Sequence, residues 1–211
     1  MYDVRPNTIL GFQGCELSVR NKLVNNPNEI EISRESYDWL GHGMYFWENN
    51  YTRAQQWADE RVKSGKYKQA AVLGAVLQIG RCCDFLDSKY TELVGRYYEA
   101  IRQEYEQMGK TLPKNVDLGS DRHHDKLLRL LDCTVIENMH KLIKQSYAND
   151  ISEKGYSTAP IFDSTRGAFY EGGPAFEGAG ISKKSHIQIC IRNLNCIKGF
   201  FIPRQEISFE G

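Results

Sequence analysis

An excess of charge of either sign is absent from this chain: 27 Lys and Arg balance 27 Asp and Glu over 211 residues. A broad basic face, and the long-range attraction that would mark a nucleic-acid or membrane-surface binder, is therefore not expected. Long apolar runs are missing too. None approaches the ~18 residues that a membrane span needs, and the opening MYDVRPNTIL lacks the basic-then-apolar layout of a secretory signal. These absences point to the cytoplasm. The six cysteines, Cys15, Cys82, Cys83, Cys133, Cys190 and Cys196, contain no CxxC pair, and the five histidines no HExxH or HxxxH spacing. That argues against a disulfide scaffold and against a zinc site. No metal is expected, and most of the cysteines read as small buried apolar residues. There is no internal repeat and no low-complexity tract.

What is present suits an ordinary core: 41% apolar and 26% charged residues, near the globular average. At roughly 100–200 residues per domain, the length fits a single domain over 1–211. Residues 8–12 (TILGF) read as a strand followed by a tight turn at Gly14, and 16–25 as a short helix. Residues 51–62 place Ala54, Trp57, Ala58 and Arg61 on one helical stripe whose small members permit close packing. The continuous apolar run 70–79 (AAVLGAVLQI) fits a strand covered on both faces.

The middle is helical by period. Tyr90, Leu93, Val94, Tyr97, Tyr98, Ile101, Tyr105 and Met108 form one stripe. Leu127, Leu128, Leu131, Val135, Ile136, Met139 and Leu142 form a second, in a helix expected over 121–147 that His123-His124 would open. Strands return at 185–191 and 196–202. The order implies an α+β fold carrying a helical insertion over 88–150.

Two segments stand out. Residues 36–48 (SYDWLGHGMYFWE) pack aromatics around Gly41 and Gly43, and glycines so spaced let a backbone pass close to a ligand. Residues 157–181 (STAPIFDSTRGAFYEGGPAFEGAGI) read as a long irregular loop, more often functional than idle. Together with Phe12-Gln13-Gly14-Cys15 and His186-Ile187-Gln188-Ile189, these segments resemble, in order and spacing, the core of the ADP-ribosyltransferase family and its poly-ADP-ribose-polymerase-like branch. In that family a first strand carries His-Gly, a second Gly-x-Gly-[aliphatic]-Tyr-Phe, and a later one a glutamate after an acceptor-recognising loop.

The resemblance implies a split β-sheet core and NAD+ as substrate. It places Tyr45 against the nicotinamide ring, with Gly43 in the same motif. Gln13 stands where the family has histidine, on a ribose hydroxyl, and Gly14 holds the nicotinamide amide through its backbone. Gln188 occupies the position of the glutamate. Cleaving the nicotinamide–ribose bond passes through an oxocarbenium-like state that a carboxylate stabilises, and an amide brings dipoles but no full charge. Glu171, between an apolar pair and a glycine pair, is the carboxylate expected to take over, ahead of Glu177. Arg166 is expected to grip a pyrophosphate or to pair with Glu171 or Asp163.

The activity implied is mono-ADP-ribosyl transfer to RNA, DNA or protein, with nucleic acid slightly favoured through a groove of Lys183, Lys184, Arg192 and Lys198. By analogy with small free-standing transferases, the chain would be a toxin in a defence or conflict system, paired with an antitoxin protein. A pseudo-transferase that binds a nucleotide or partner, and an NAD+ glycohydrolase, are the alternatives. A Ser185-His186-Asp163 triad has no supporting Gly-x-Ser-x-Gly elbow.

Overall fold

The computed structural model describes residues 8–119 and 121–204. The N-terminal reading therefore falls largely outside the described residues. In chain order the elements are β1 (Ile9–Glu16), α1 (Leu17–Asn25), β2 (Met44–Glu48), α2 (Tyr51–Lys63), β3 (Ala70–Leu77), β4 (Cys82–Asp84), α3 (Ser88–Gln107), α4 (Leu130–Lys154), β5 (Ser164–Phe169), β6 (His186–Ile191) and β7 (Ile197–Phe201). The class is α+β, with the helix pair α3–α4 between β4 and β5. Among the described residues, no helix is long and apolar enough to cross a membrane.

The seven strands form one sheet in the order β4-β5-β6-β2-β1-β3-β7, parallel only between β4 and β5. Strand β1 pairs with β3 along its whole length, from Ile9↔Leu77 to Glu16↔Ala70. With β2 its ladder is short, Gly11↔Glu48 and Phe12↔Trp47. The two halves of the sheet meet at that short seam.

Side chains alternate across the sheet. One face buries Cys15, Met44, Phe46, Leu73, Leu77, Ile189 and Ile191 together with Leu23 of α1. The other face is covered in two places. Helix α2 packs Ala54 and Trp57 on Phe12, Trp47 and Val72, and the α3–α4 pair packs Tyr90, Met139 and Ile143 on Cys83 and Phe162. Between these covers, over β2, β6 and β5, lie Trp39 and the segment that follows β5.

Local chemistry explains where α2 starts and where α4 stops. The Asn50 side chain accepts from Arg53 N at 2.9 Å and starts α2. Gly155, at φ 76°, supplies the left-handed residue that stops α4. The strand expected at 8–12 runs on through Gly14, which pairs with Val72; the glycine serves a close helix approach and not a turn. The helix expected over 121–147 starts at Leu130. Before it, the Asp121 carboxylate accepts from the backbone N of His123 and Asp125, while His124 and Lys126 adopt positive φ. The shifted helix buries His140 and Ile143 and leaves Leu142 exposed. His123-His124 therefore belongs to a loop and opens no helix.

The stretch read as a wholly irregular loop contains β5. Its STRGAF segment is a strand because β4 and β6 pair with it on both sides, a tertiary stabilisation that overrides its glycine content. All six cysteines are buried; burial pushes the Cys190 thiol up to about 12.

His140 packs edge-on to Phe162 at 6.0 Å, and burial takes its pKa down to about 3. The unfolded chain binds a proton there near pH 6.5 and the folded chain does not, so this contribution is complete above pH 6.5 and is lost as pH falls toward 3. Between pH 6.5 and 4.5 the group accounts for roughly 2 kcal/mol of lost stability. Urea unfolding of His140→Leu at both pH values should show a correspondingly shallower acid loss than the parent; equal losses would refute the assignment.

Candidate active site

The three motif segments, the last of them more than 130 residues beyond the other two, occupy neighbouring strands β1, β2 and β6 at the centre of the sheet. Phe12 pairs with Trp47, and Trp47 with Gln188. These three side chains therefore share a cross-strand row on the face that carries α2. On the same face, Tyr45 pairs with Cys190 and Phe169 with His186.

Gly14 decides how α2 sits. A Cβ there would lie 2.2 Å from Ala54 O and 3.2 Å from Ala58 N, so the helix backbone rests directly on the strand. That seating places Arg53, adjacent to Ala54, over Trp47, with its guanidinium carbon 5.7 Å from the indole centroid. Arg53 Nε donates to Glu171 Oε1 at 2.9 Å, and Nη2 donates to the same oxygen. Both residues are buried. Glu171 thus turns inward from an otherwise exposed stretch, whereas Glu177 stays in solvent.

His186 lies in the same cluster, its ring stacked on Phe169 (5.6 Å, 21°) and 6.0 Å from Trp47. Its Nδ1 donates to the Lys184 carbonyl at 2.7 Å. Burial lowers its pKa against the opposing effects of that hydrogen bond and of the Glu171 charge. Three buried atoms here have no hydrogen-bond partner among the described residues: Trp47 Nε1, Arg53 Nη1 and His186 Nε2.

Gln188 is held by Trp39, whose Nε1 donates to Gln188 Oε1 at 2.6 Å. Gly167 makes room for that indole, since a Cβ there would lie 2.8 Å from the Trp39 ring. On its other side Trp39 lines a cavity of about 320 Å³ with Phe85, Val94, Tyr98, Arg129 and Val135. Arg129 also stacks over Phe169, 4.6 Å from its centroid.

Tyr45 closes its own turn: its hydroxyl donates to Gly41 O at 2.8 Å and accepts from Leu40 N at 2.9 Å. Burial raises its pKa well above the phenol range. Gly43 exchanges backbone hydrogen bonds with Ser33 and abuts Ile191 O, 2.4 Å from where a Cβ would stand.

Several expected groupings are not assembled. Gln13 pairs with Leu73 and takes the opposite face from Phe12 and Gly14, because alternate strand residues point to opposite sides. Arg166 pairs neither with Glu171 nor with Asp163. It donates to Glu48 from Nε (2.5 Å) and Nη2 (3.0 Å), and to Asp84 from Nη1 (3.0 Å). Its fork is filled by two carboxylates on the face away from Glu171.

Three of the four basic residues expected to line a groove are already engaged. Arg192 is held by Glu137 and the His42 carbonyl, Lys184 pairs with Glu60, and Lys198 donates to Asn195 O. Asp163 accepts from Arg81 N and Asn193 Nδ2, and His186 faces the Lys184 carbonyl, so no Ser185-His186-Asp163 relay forms.

Sequence reasoning passed over Arg53, Trp39 and Trp47 as site residues. A signal for Arg53 existed: it lies four residues before Trp57, a cation on the apolar stripe of α2. Compared with protein-family models, curated proteins and solved structures, the chain matches none.

Two consequences can be measured. Gly14→Ala should cost at least ~2 kcal/mol, since the methyl group would press on helix backbone that cannot yield cheaply; a denaturation midpoint unchanged from the parent would contradict this seating. Arg53→Met leaves the Glu171 charge buried and unpaired, costing roughly 3–5 kcal/mol, and Arg53→Met/Glu171→Leu should recover most of that loss. Additive losses in the double variant would rule out the pairing.

Proposed function

We propose that the chain is an NAD+-dependent mono-ADP-ribosyltransferase whose reacting centre lies on the α2 face of β1, β2 and β6. The observation that carries this reading is Glu171: the segment after β5 delivers a buried carboxylate beside His186, on the sheet face where Gln188 supplies only an amide. Both Arg53 bonds fall on Oε1, so Arg53 fixes the carboxylate while Oε2 is the oxygen left to face a ligand. A carboxylate about 4 Å from a developing oxocarbenium charge contributes on the order of 4 kcal/mol at an effective dielectric near 20. In this reading Gln188 hydrogen-bonds the ribose, the Gly14 backbone meets the nicotinamide amide, and the Tyr45 ring flanks it. The short β1–β2 seam, beyond which Gln13 to Glu16 leave the ladder with β2, supports a split-sheet core of the ADP-ribosyltransferase type.

The acceptor in this reading is a macromolecule. The toxin-type role, an antitoxin partner and a cytoplasmic setting follow from the same resemblance. The pseudo-transferase alternative draws on Gln188, whose amide oxygen is already occupied by Trp39.

Nicotinamide release from NAD+ tests the reading. Glu171→Gln should slow it about 100-fold, and Glu177→Gln, altered in the solvent-exposed part of the same stretch, should leave it unchanged. Equal background rates for the parent and Glu171→Gln would favour the pseudo-transferase, and release with no labelled macromolecule would favour the glycohydrolase.

A further inference from the structure

The three buried unpartnered atoms of the cluster make a donor and acceptor inventory. His186 donates through Nδ1 to Lys184 O, so in its neutral form Nε2 is an acceptor. Trp47 Nε1 and Arg53 Nη1 can only donate. One acceptor beside two donors complements a hydroxyl, which donates one hydrogen bond and accepts two. An ammonium or guanidinium offers donors alone and would leave the indole and Arg53 unmet. A carboxylate offers acceptors alone and would oppose the Nε2 lone pair. Buried polar groups in folded proteins are nearly always paired, with protein, water or a ligand, and three such atoms on adjoining side chains are open to a small hydroxyl-bearing group.

Resting on the transferase reading above, we propose that this cluster receives the side-chain hydroxyl of a protein acceptor and that His186 is its general base. The acceptor oxygen bonds to the ribose carbon that held nicotinamide. The carbon–nitrogen bond breaks with its electron pair going to nicotinamide, which leaves neutral, and the hydroxyl proton moves to His186 Nε2. Trp47 and Arg53 donate to the hydroxyl oxygen and orient it, and one of these two bonds gives way as that lone pair turns to the ribose carbon.

A protein is favoured over RNA by the surroundings. Arg192, Lys184 and Lys198 are dispersed and engaged, so the cationic track that a phosphate backbone needs is not assembled. The segment over the cluster instead exposes Tyr170, Phe176 and Ile181 by 60%, 67% and 64%, apolar contacts suited to a peptide. At its C-terminal end that segment is held to α2 by the Lys184–Glu60 surface pair, a weak tie that an acceptor can replace while the Arg53–Glu171 pair stays closed.

The charged groups around the imidazole are Arg53 from α2, Glu171 and Lys184 from the covering segment, and Arg129 beyond Phe169. With burial lowering the His186 pKa, the base remains available at neutral pH and is lost only in more acidic solution.

The test uses the full chain with labelled NAD+, a serine-bearing peptide, its alanine counterpart and a single-stranded RNA. Label should enter the serine peptide and resist neutral hydroxylamine, which strips carboxylate esters. His186→Asn keeps a donor for Lys184 O but lacks the Nε2 base. It should transfer about 100-fold more slowly and lose the acid limb of the parent's kcat/KM profile. Label on the alanine peptide or the RNA, a hydroxylamine-labile bond, water as the only acceptor used, or parental rates from His186→Asn would each overturn the proposal. If the parent consumes no NAD+, the transferase reading falls by itself. The hydroxyl site is then judged by the imidazole ¹⁵N resonances: N-acetylserinamide should shift Nε2, and an unmoved resonance overturns the site.

Discussion

Helix α2 rests on β1 at backbone contact distance because position 14 has no side chain, and most of the candidate site follows from that contact. With Ala54 and Ala58 at the crossing, the helix comes close enough for its Arg53 to reach over Trp47 and hold Glu171. A helix held farther out by a methyl group would leave Trp47 less covered and Glu171 without its counter-ion. A buried carboxylate is tolerated only with such a partner. The inward turn of the segment after β5 therefore depends on a glycine in the first strand, some 150 residues earlier.

Two buried arginines serve two different ends. On the α1 side, Arg166 is enclosed by Glu48 and Asp84 and ties β5 to β2 and β4. On the α2 side, Arg53 meets one carboxylate oxygen and keeps Nη1 unsatisfied. A residue with its whole fork occupied fixes the scaffold, whereas one with a spare donor beside a neutral imidazole and an indole N–H can answer to a ligand. The separation of the two faces keeps the structural pair from competing with the site.

Much of the fold could be read in advance. The helix stripe of Ala54, Trp57 and Ala58, the doubly buried strand AAVLGAVL and the paired helices between strands all follow from side-chain period, because burial on one or both faces dictates where apolar residues fall. The start of α4 could not be read, since the Asp121 side chain holds the backbone N–H groups of His123 and Asp125 in a loop, and this and positive φ at His124 and Lys126 compete with an apolar period that continues through them. Strand β5 could not be read either: its glycine-bearing segment is a strand only because β4 and β6 flank it. Of the site, Glu171 was marked by its apolar and glycine neighbours and Gln188 by its place in the motif. Arg166 was assigned to the right kind of chemistry but to the wrong face.

The amino-acid sequence by itself determined the periodic helices and the doubly buried strand, the balance of charge and the three segments that resemble a transferase core, because period, composition and spacing are local properties. The tertiary structure alone decided which polar residues meet. Strand alternation sent Gln13 and Arg166 to one face and Gln188, His186 and Trp47 to the other, and the close seating of α2 at Gly14 chose Arg53 as the partner of Glu171. Those pairings depend on register and on helix-to-sheet distance, which no spacing along the chain encodes.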